Sequence, residues 1–184
     1  MTYTELVAAI QSYTENQFPD TYLADGSAVT SMEQINTFIQ QAEQRIYNSV
    51  QLPSLRKNVT GVTSPANKYL AAPTDFLSSF SLAVIENYGT AAETYTFLLN
   101  KDVNFIRQAY PTPNDTGVPR YYALFGPTVT GSTITNELSF ILGPTPNAIY
   151  NVELHYYIYP ESIVTANTSW LGDNLDSVLL YGSL

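Results

Sequence analysis

At 184 residues with 45% apolar side chains, the chain has enough material for one domain with a substantial core, and room for a smaller lobe. Seven basic residues against sixteen acidic ones give a formal charge of −9, which argues against a protein that grips duplex DNA or an anionic membrane surface through clustered Lys and Arg. Cysteine is absent, so there is neither a disulfide framework nor a thiolate metal site, and no stretch approaches the ~20 apolar residues of a membrane-spanning helix. The start, MTYTELVAAIQSY, lacks the basic opening and apolar run of a signal peptide, so the protein is expected to be soluble and unexported.

Residues 1–53 read as a helical segment. Thr2 followed by Glu5 fits a capping box, and Tyr3, Leu6, Val7, Ile10 and Tyr13 recur at helical spacing, predicting a helix from Thr2 to Thr14. Asn16 to Thr30 holds Pro19, Asp20, Asp25 and Gly26 and reads as a loop. Ser31 is the expected cap of a second helix, with Met32, Ile35, Phe38, Ile39, Ala42 and Ile46 on its apolar face, ending near Val50 before Pro53. The opposite face, Gln34, Thr37, Gln41 and Gln44, is polar and uncharged.

From residue 54 to 165 the period changes to two. NVTGV, KYLAA, SFSLAVIENY and ETYTFLL are short β runs between Ser-Pro, Pro-Thr-Asp and Asn-Tyr-Gly turns. Near 102–110, Val103, Ile106 and Ala109 return to helical spacing, predicting a short inserted helix that Pro111 and Pro113 end. Gly117 to Ile163 reads as a β-meander. Its last strand places Val152, Leu154, Tyr156 and Ile158 on one face, and Tyr157 and Tyr159 beside Glu153 and His155 on the other, so both faces call for cover, part of it from a neighbouring subunit. Residues 166–184 form a C-terminal segment in which DNLDSVLLYGSL begins a helix that ends before burying itself. The expected class is α+β: an N-terminal helix pair and a C-terminal helix start packed with an antiparallel, sandwich-like β domain.

Candidate chemistry is sparse. His155 is the only histidine, sits mid-strand near Glu153, and has no G-x-S-x-G elbow to serve. Asp20, Asp25 and Gly26, and Asp173, Asn174 and Asp176, lack the alternating oxygens and closing Glu of an EF-hand loop, and Asp173 reads as a helix cap. There is no phosphate-binding glycine loop, and Arg45, Arg56, Lys57, Lys68, Lys101, Arg107 and Arg120 are scattered. Asn58, Asn114 and Asn167 open N-x-[ST] triplets of the kind an Asn- and Thr-rich chain produces by chance. No catalytic, cofactor-binding or metal-binding residue is expected, and no cofactor. The repeated Gly-Pro-Thr after Phe125 and Leu142 reads as repeated turns rather than a repeat architecture. Fifteen tyrosines in a chain with only 12% charged residues fit either interface use or ordinary β preference.

Taken in order, several pieces resemble the head-to-tail adaptor proteins of tailed bacteriophages, also called connector or head-completion proteins. They are Ala42-Glu43-x-x-Ile46, Leu55-Arg56, Leu70-Ala-Ala-Pro73-x-Asp75-Phe76-Leu77, Gly117-x-Pro119-x-Tyr121-Tyr122-Ala123, Leu142-Gly143-Pro144-x-Pro146, Tyr156-Tyr157-x-x-Pro160, and Trp170 with Leu179-Leu180-Tyr181-Gly182. The resemblance implies a structural virion protein, assembled in the host cytoplasm and placed at the head-tail junction. It further implies a homo-oligomeric ring, twelve-fold by resemblance, between the portal protein and a nozzle or tail-completion protein, through which DNA passes without specific binding. Similar proteins continue past Leu-Leu-Tyr-Gly into a full helix, whereas this chain ends at Leu184. A β-sandwich binding module for carbohydrate or a host surface is the alternative reading, and an enzyme the third.

Overall fold

The computed structural model describes residues 1–130, 133–136 and 138–184. In chain order the elements begin with α1 (Tyr3–Thr14), β1 (Thr21–Tyr22), β2 (Ala28–Val29) and α2 (Ser31–Ser49), then a 3-10 turn at Pro53–Leu55. The strands β3 (Arg56–Val62), β4 (Tyr69–Ala71), β5 (Phe76–Glu86), β6 (Thr94–Phe97) and β7 (Leu99–Asn100) precede α3 (Val103–Ala109). Next come β8 (Thr116–Gly117), β9 (Tyr121–Phe125), β10 (Thr128–Thr130), β11 (Thr133–Asn136), β12 (Ser139–Gly143), β13 (Thr145–Pro146) and β14 (Asn151–Ile158). The chain closes with α4 (Ile163–Ala166), α5 (Trp170–Asn174) and α6 (Asp176–Ser183). The class is α+β. Two compact units divide the chain, one of Met1–Leu52 with Tyr159–Leu184 and one of Pro53–Ile158.

The helical unit is built around two capping boxes. The Glu5 N–H donates to the Thr2 hydroxyl while the Thr2 N–H donates to the Glu5 carboxylate at 2.8 Å, fixing the start of α1 as its sequence predicts. On α2 the cap is Thr30, not Ser31. Thr30 has extended backbone angles and Glu33 stands three residues on to complete the box, whereas Ser31 is spent on the preceding segment, donating to the Gln17 carbonyl and giving its N–H to Asp20. That segment is also more than a loop. β1 and β2 pair antiparallel around a turn in which Gly26 takes a φ of +84°, and Gln34 ties the hairpin down through the Pro19 and Val29 carbonyls. Of the predicted apolar stripes, Leu6, Val7, Ile10, Ile35, Ile39 and Ala42 are buried, while Tyr13, Met32 and Phe38 stay exposed. The C-terminal segment does bury itself, contrary to its sequence reading. Leu179 and Leu180 of α6 are core residues, and Gly182 lies against Ala42 of α2 because no side chain intervenes. Asp173 falls inside α5, whose cap is Ser169.

The β unit is a sandwich of two four-stranded sheets, ordered β4-β12-β9-β7 and β3-β14-β5-β6. Their facing sides supply one core, in which Leu82, Val84, Val152, Leu154 and Tyr156 of one sheet meet Tyr122, Phe140 and Leu142 of the other. Helix α3 begins at an Asp102 cap and covers the first sheet's outer side, where Ile106 packs with Ala123 and Ile141. Gly143 permits this approach, since a Cβ there would stand 2.9 Å from Ile106.

Gly117 to Ile163 is not a simple meander. β9 and β12 pair in one sheet, β10 and β11 form their own hairpin, β13 runs parallel to β8, and β14 crosses to the other sheet between β3 and β5. Residues 131, 132 and 137 of that stretch lie outside the described residues. Period-two patterning identifies strands but carries no information on which strand pairs with which. The two-faced character of β14 also has a local answer. The register shift beside His155 and Tyr156 leaves Phe80 of β5 unpaired, and Tyr157, still on the outer face, is covered there by Phe80 and the Arg56 guanidinium, while Tyr159 lies beyond the strand.

Candidate functional site: the assembly surfaces

His155 lies on the outer face of its sheet with its Nε2 3.4 Å from a Glu153 carboxylate oxygen, which also accepts from Asn58 at 2.6 Å. Ser81 stands opposite His155 in register and forms no hydrogen bond with it. Among the described residues no group of three or more His, Asp or Glu side chains is placed to hold a metal ion. Asp25 is committed to Ser27 and Asp20 to the Ser31 N–H, so both serve the hairpin.

Most basic side chains have a partner within the chain. Lys57 bonds Asp75 at 2.8 Å, Arg56 lies 4.1 Å over Phe80, and Lys68, Lys101 and Arg107 lie over Tyr69, Phe105 and Phe125. Five of the seven basic residues thus have an internal partner, though only Lys57 has its charge offset by a carboxylate. Asp75 also accepts from the Tyr156 hydroxyl at 2.8 Å. Burial alone raises the Asp75 pKa, but the bonds from Lys57 and Tyr156 outweigh it and hold the carboxyl below its ordinary range, while burial and Asp75 push the Tyr156 hydroxyl up to about 12.

The sequence reading passed over one residue of consequence. Glu43, quoted there only as part of a motif, is 2% exposed and accepts the Ile163 N–H at 2.9 Å, closing the start of α4. Burial pushes its pKa up against the opposing bonds from Ile163 and Ser162. Its place four residues from Ile39 and three from Ile46 put it within the apolar stripe of α2, and that spacing was the available signal. Beside it, Tyr47 is buried against Tyr159 with a hydroxyl that finds no partner, and burial followed by the charge of Glu43 drives its pKa upward.

The exposed surfaces that remain are uncharged or mixed. On the helical unit, Tyr13 and Tyr181 meet edge to face near a small cleft of about 240 Å³ that includes Phe38, Arg45 and Leu184. A second cleft of about 440 Å³ is lined by Thr37, Gln40, Gln41, Gln44 and Tyr159; Gln34, by contrast, is occupied by the hairpin. On the β unit a cleft of about 460 Å³ lies between Phe97, Leu99, Val118, Arg120 and Tyr121. None of these three clefts is lined by more than one tyrosine; Tyr13 and Tyr181 pair beside the first, and exposed Tyr22, Tyr88 and Tyr95 line none of them. A sugar site needs rings converging in one cleft, so this distribution favours extended contact. No helix among the described residues is long and apolar enough to cross a membrane.

A family model described as SU10 adaptor protein matches residues 1–184. Comparison with curated proteins found no match.

Proposed function

The chain belongs to the SU10 adaptor protein family, phage adaptors that are structural proteins, and on that premise we propose that it forms a ring between the portal protein and the tail and continues the DNA channel there. The whole-chain family match is the observation that carries this reading. Ring closure needs two different complementary flanks on each copy, because a heterologous contact repeated around an axis closes only in that way. The spread of exposed aromatic side chains supports such flanks, and the proposed symmetry is twelve-fold. Portal on one side and a nozzle or tail-completion protein on the other are the proposed partners, at the head-tail junction of the virion, after assembly in the host cytoplasm.

The proposed lumen is acidic or neutral-polar. DNA carries one negative charge per ~1.7 Å of duplex axis, so a wall that lets it slide holds few free cations. The exposed Thr37, Gln41 and Gln44 are the candidate lining, and a count of only seven basic residues against sixteen acidic ones fits that role. Catalysis and metal binding have no part in this reading. Native mass measurement of the purified protein, alone and with portal, tests it. A complex whose mass rises by multiples of 20.4 kDa supports the ring, and a chain that stays monomeric and fails to co-sediment with portal overturns it.

A further inference from the structure

We infer that neighbouring copies join by strand pairing, with the β3 edge of one sandwich adding antiparallel to the β6 edge of the next. The inference rests on the ring reading and adds where the two flanks lie. β3 and β6 are the terminal strands of one four-stranded sheet, β3-β14-β5-β6, whose neighbours are all antiparallel. With an even number of alternating strands, β3 and β6 run in opposite directions, so a neighbour presented head to tail brings its β3 antiparallel to this β6.

The backbone pattern is complementary as well. The Thr63 N–H donates to Tyr150 at 2.9 Å, in register with the β3–β14 ladder, and alternation then turns the N–H and C=O groups of Asn58, Thr60 and Val62 away from β14 toward the free edge. On the opposite edge the Leu98 N–H donates to Leu82 at 2.8 Å, which turns the groups of Tyr95 and Phe97 outward. In register, Thr60 pairs with Glu153 and Ala83 pairs with both Glu153 and Phe97, so Thr60 and Phe97 lie on one sheet face. Pairing the two edges therefore keeps each face continuous.

An exposed edge is normally guarded by charge. Here the guards are turned away. All seven residues of β3 are exposed, yet Lys57 is tied to Asp75 and Arg56 is stacked on Phe80, leaving Asn58–Val62 uncharged with Val62 56% exposed. The β6 edge is uncharged from Thr94 to Phe97, with Phe97 66% exposed beside Leu99 and Val118 in a cleft that Glu86 and Arg120 also line. Neither edge segment carries an acid of its own, and the acids beside them are already held within the copy, Glu153 by Asn58 and Glu86 by Thr96. Val62 against Tyr95 or Phe97 supplies the β-branched and aromatic pair that favours cross-strand contact.

The chain has no cysteine, so single substitutions report cleanly. Thr60→Cys protein is mixed with Tyr95→Cys or Phe97→Cys protein, assembled with portal and oxidised, while native mass is read in parallel. The expected result is a mixed disulfide dimer from at least one of the two mixtures, none from Thr60→Cys alone, and a ladder of multimers from a double variant. Thr60→Pro, which removes only an outward N–H, is expected to keep the monomer's melting temperature within a few degrees and to cut assembly at least tenfold. Val62→Lys is a second, less intrusive block with the same expected loss. A multimer of the proposed mass without mixed disulfides, or one that both Thr60→Pro and Val62→Lys leave intact, overturns the strand joint while the ring stands. Mixed disulfides in open chains of no fixed mass support the joint and sink the closed ring. Absence of any multimer removes both.

Discussion

Replacing Glu43 separates packing, hydrogen bonding and charge at one buried point. Glu43→Ala strands the Ile163 N–H without its acceptor, a loss of about 1–3 kcal/mol for a buried donor, and removes about one packed methylene, worth about 0.8 kcal/mol. The sum is about 2–4 kcal/mol, which lowers the melting temperature by about 5–15 °C for a chain of this size. Glu43→Gln keeps the volume and the acceptor oxygen, so its cost at pH 4 stays within about 1 kcal/mol. The folded pKa of Glu43 is raised above the ordinary 4.5, so the folded state favours the protonated form. Its stabilising contribution is then complete below about pH 4.5 and is lost as pH rises through the folded value. Glu43→Gln cannot ionise, and it therefore gains on the parent between pH 5 and 8. Urea melts of the parent and both variants at several pH values read all of this. A Glu43→Ala variant within about 0.5 kcal/mol of the parent, or a Glu43→Gln variant that loses ground as pH rises, refutes the reasoning.

Tyr47→Phe removes a buried hydroxyl that lacks a partner, and calorimetry should show stability unchanged or raised by about 1 kcal/mol. Gly143→Ala drives a Cβ to 2.9 Å from Ile106 and 3.0 Å from the Tyr110 ring, so denaturant melts should show a loss of about 1–3 kcal/mol as α3 is pushed off the sheet. Asp75 titrates below its ordinary value, so its contribution holds above about pH 3.8 and fades as pH falls through the folded value; Asp75→Asn should flatten that part of the acid limb. His155→Gln breaks only a half-buried pair with Glu153, and particle assembly should survive with stability changed by less than about 1 kcal/mol. Loss of infectivity by a His155→Gln protein that folds and incorporates would reopen a chemical role.

Local chemistry was legible in the sequence. The Thr2 box, the inserted helix α3 and the strand runs follow from spacing alone, because capping and alternation are short-range. The α2 start was missed by one residue, since Thr30 with Glu33 and Ser31 with Gln34 both fit a capping box, and Gln34 is held by the hairpin instead. Pairing partners were not legible. That β14 leaves its sequence neighbours to sit between β3 and β5 depends on contacts far apart in the chain, and the same holds for α6 closing on Ala42. The surfaces were half legible: low charge and many tyrosines pointed to contact, but the turning of Arg56 and Lys57 away from the β3 edge needs coordinates.

The most direct measurement is the density of the head-tail junction in an intact virion, or in portal complexed with this protein, at a resolution that traces the chain. A ring of copies coaxial with the portal, its opening lined by Thr37, Gln41 and Gln44 or other uncharged and acidic side chains, is the predicted result. Copies placed elsewhere on the particle, or a junction ring whose lumen is lined by Arg45, Arg56, Lys57 and Arg107, would contradict it.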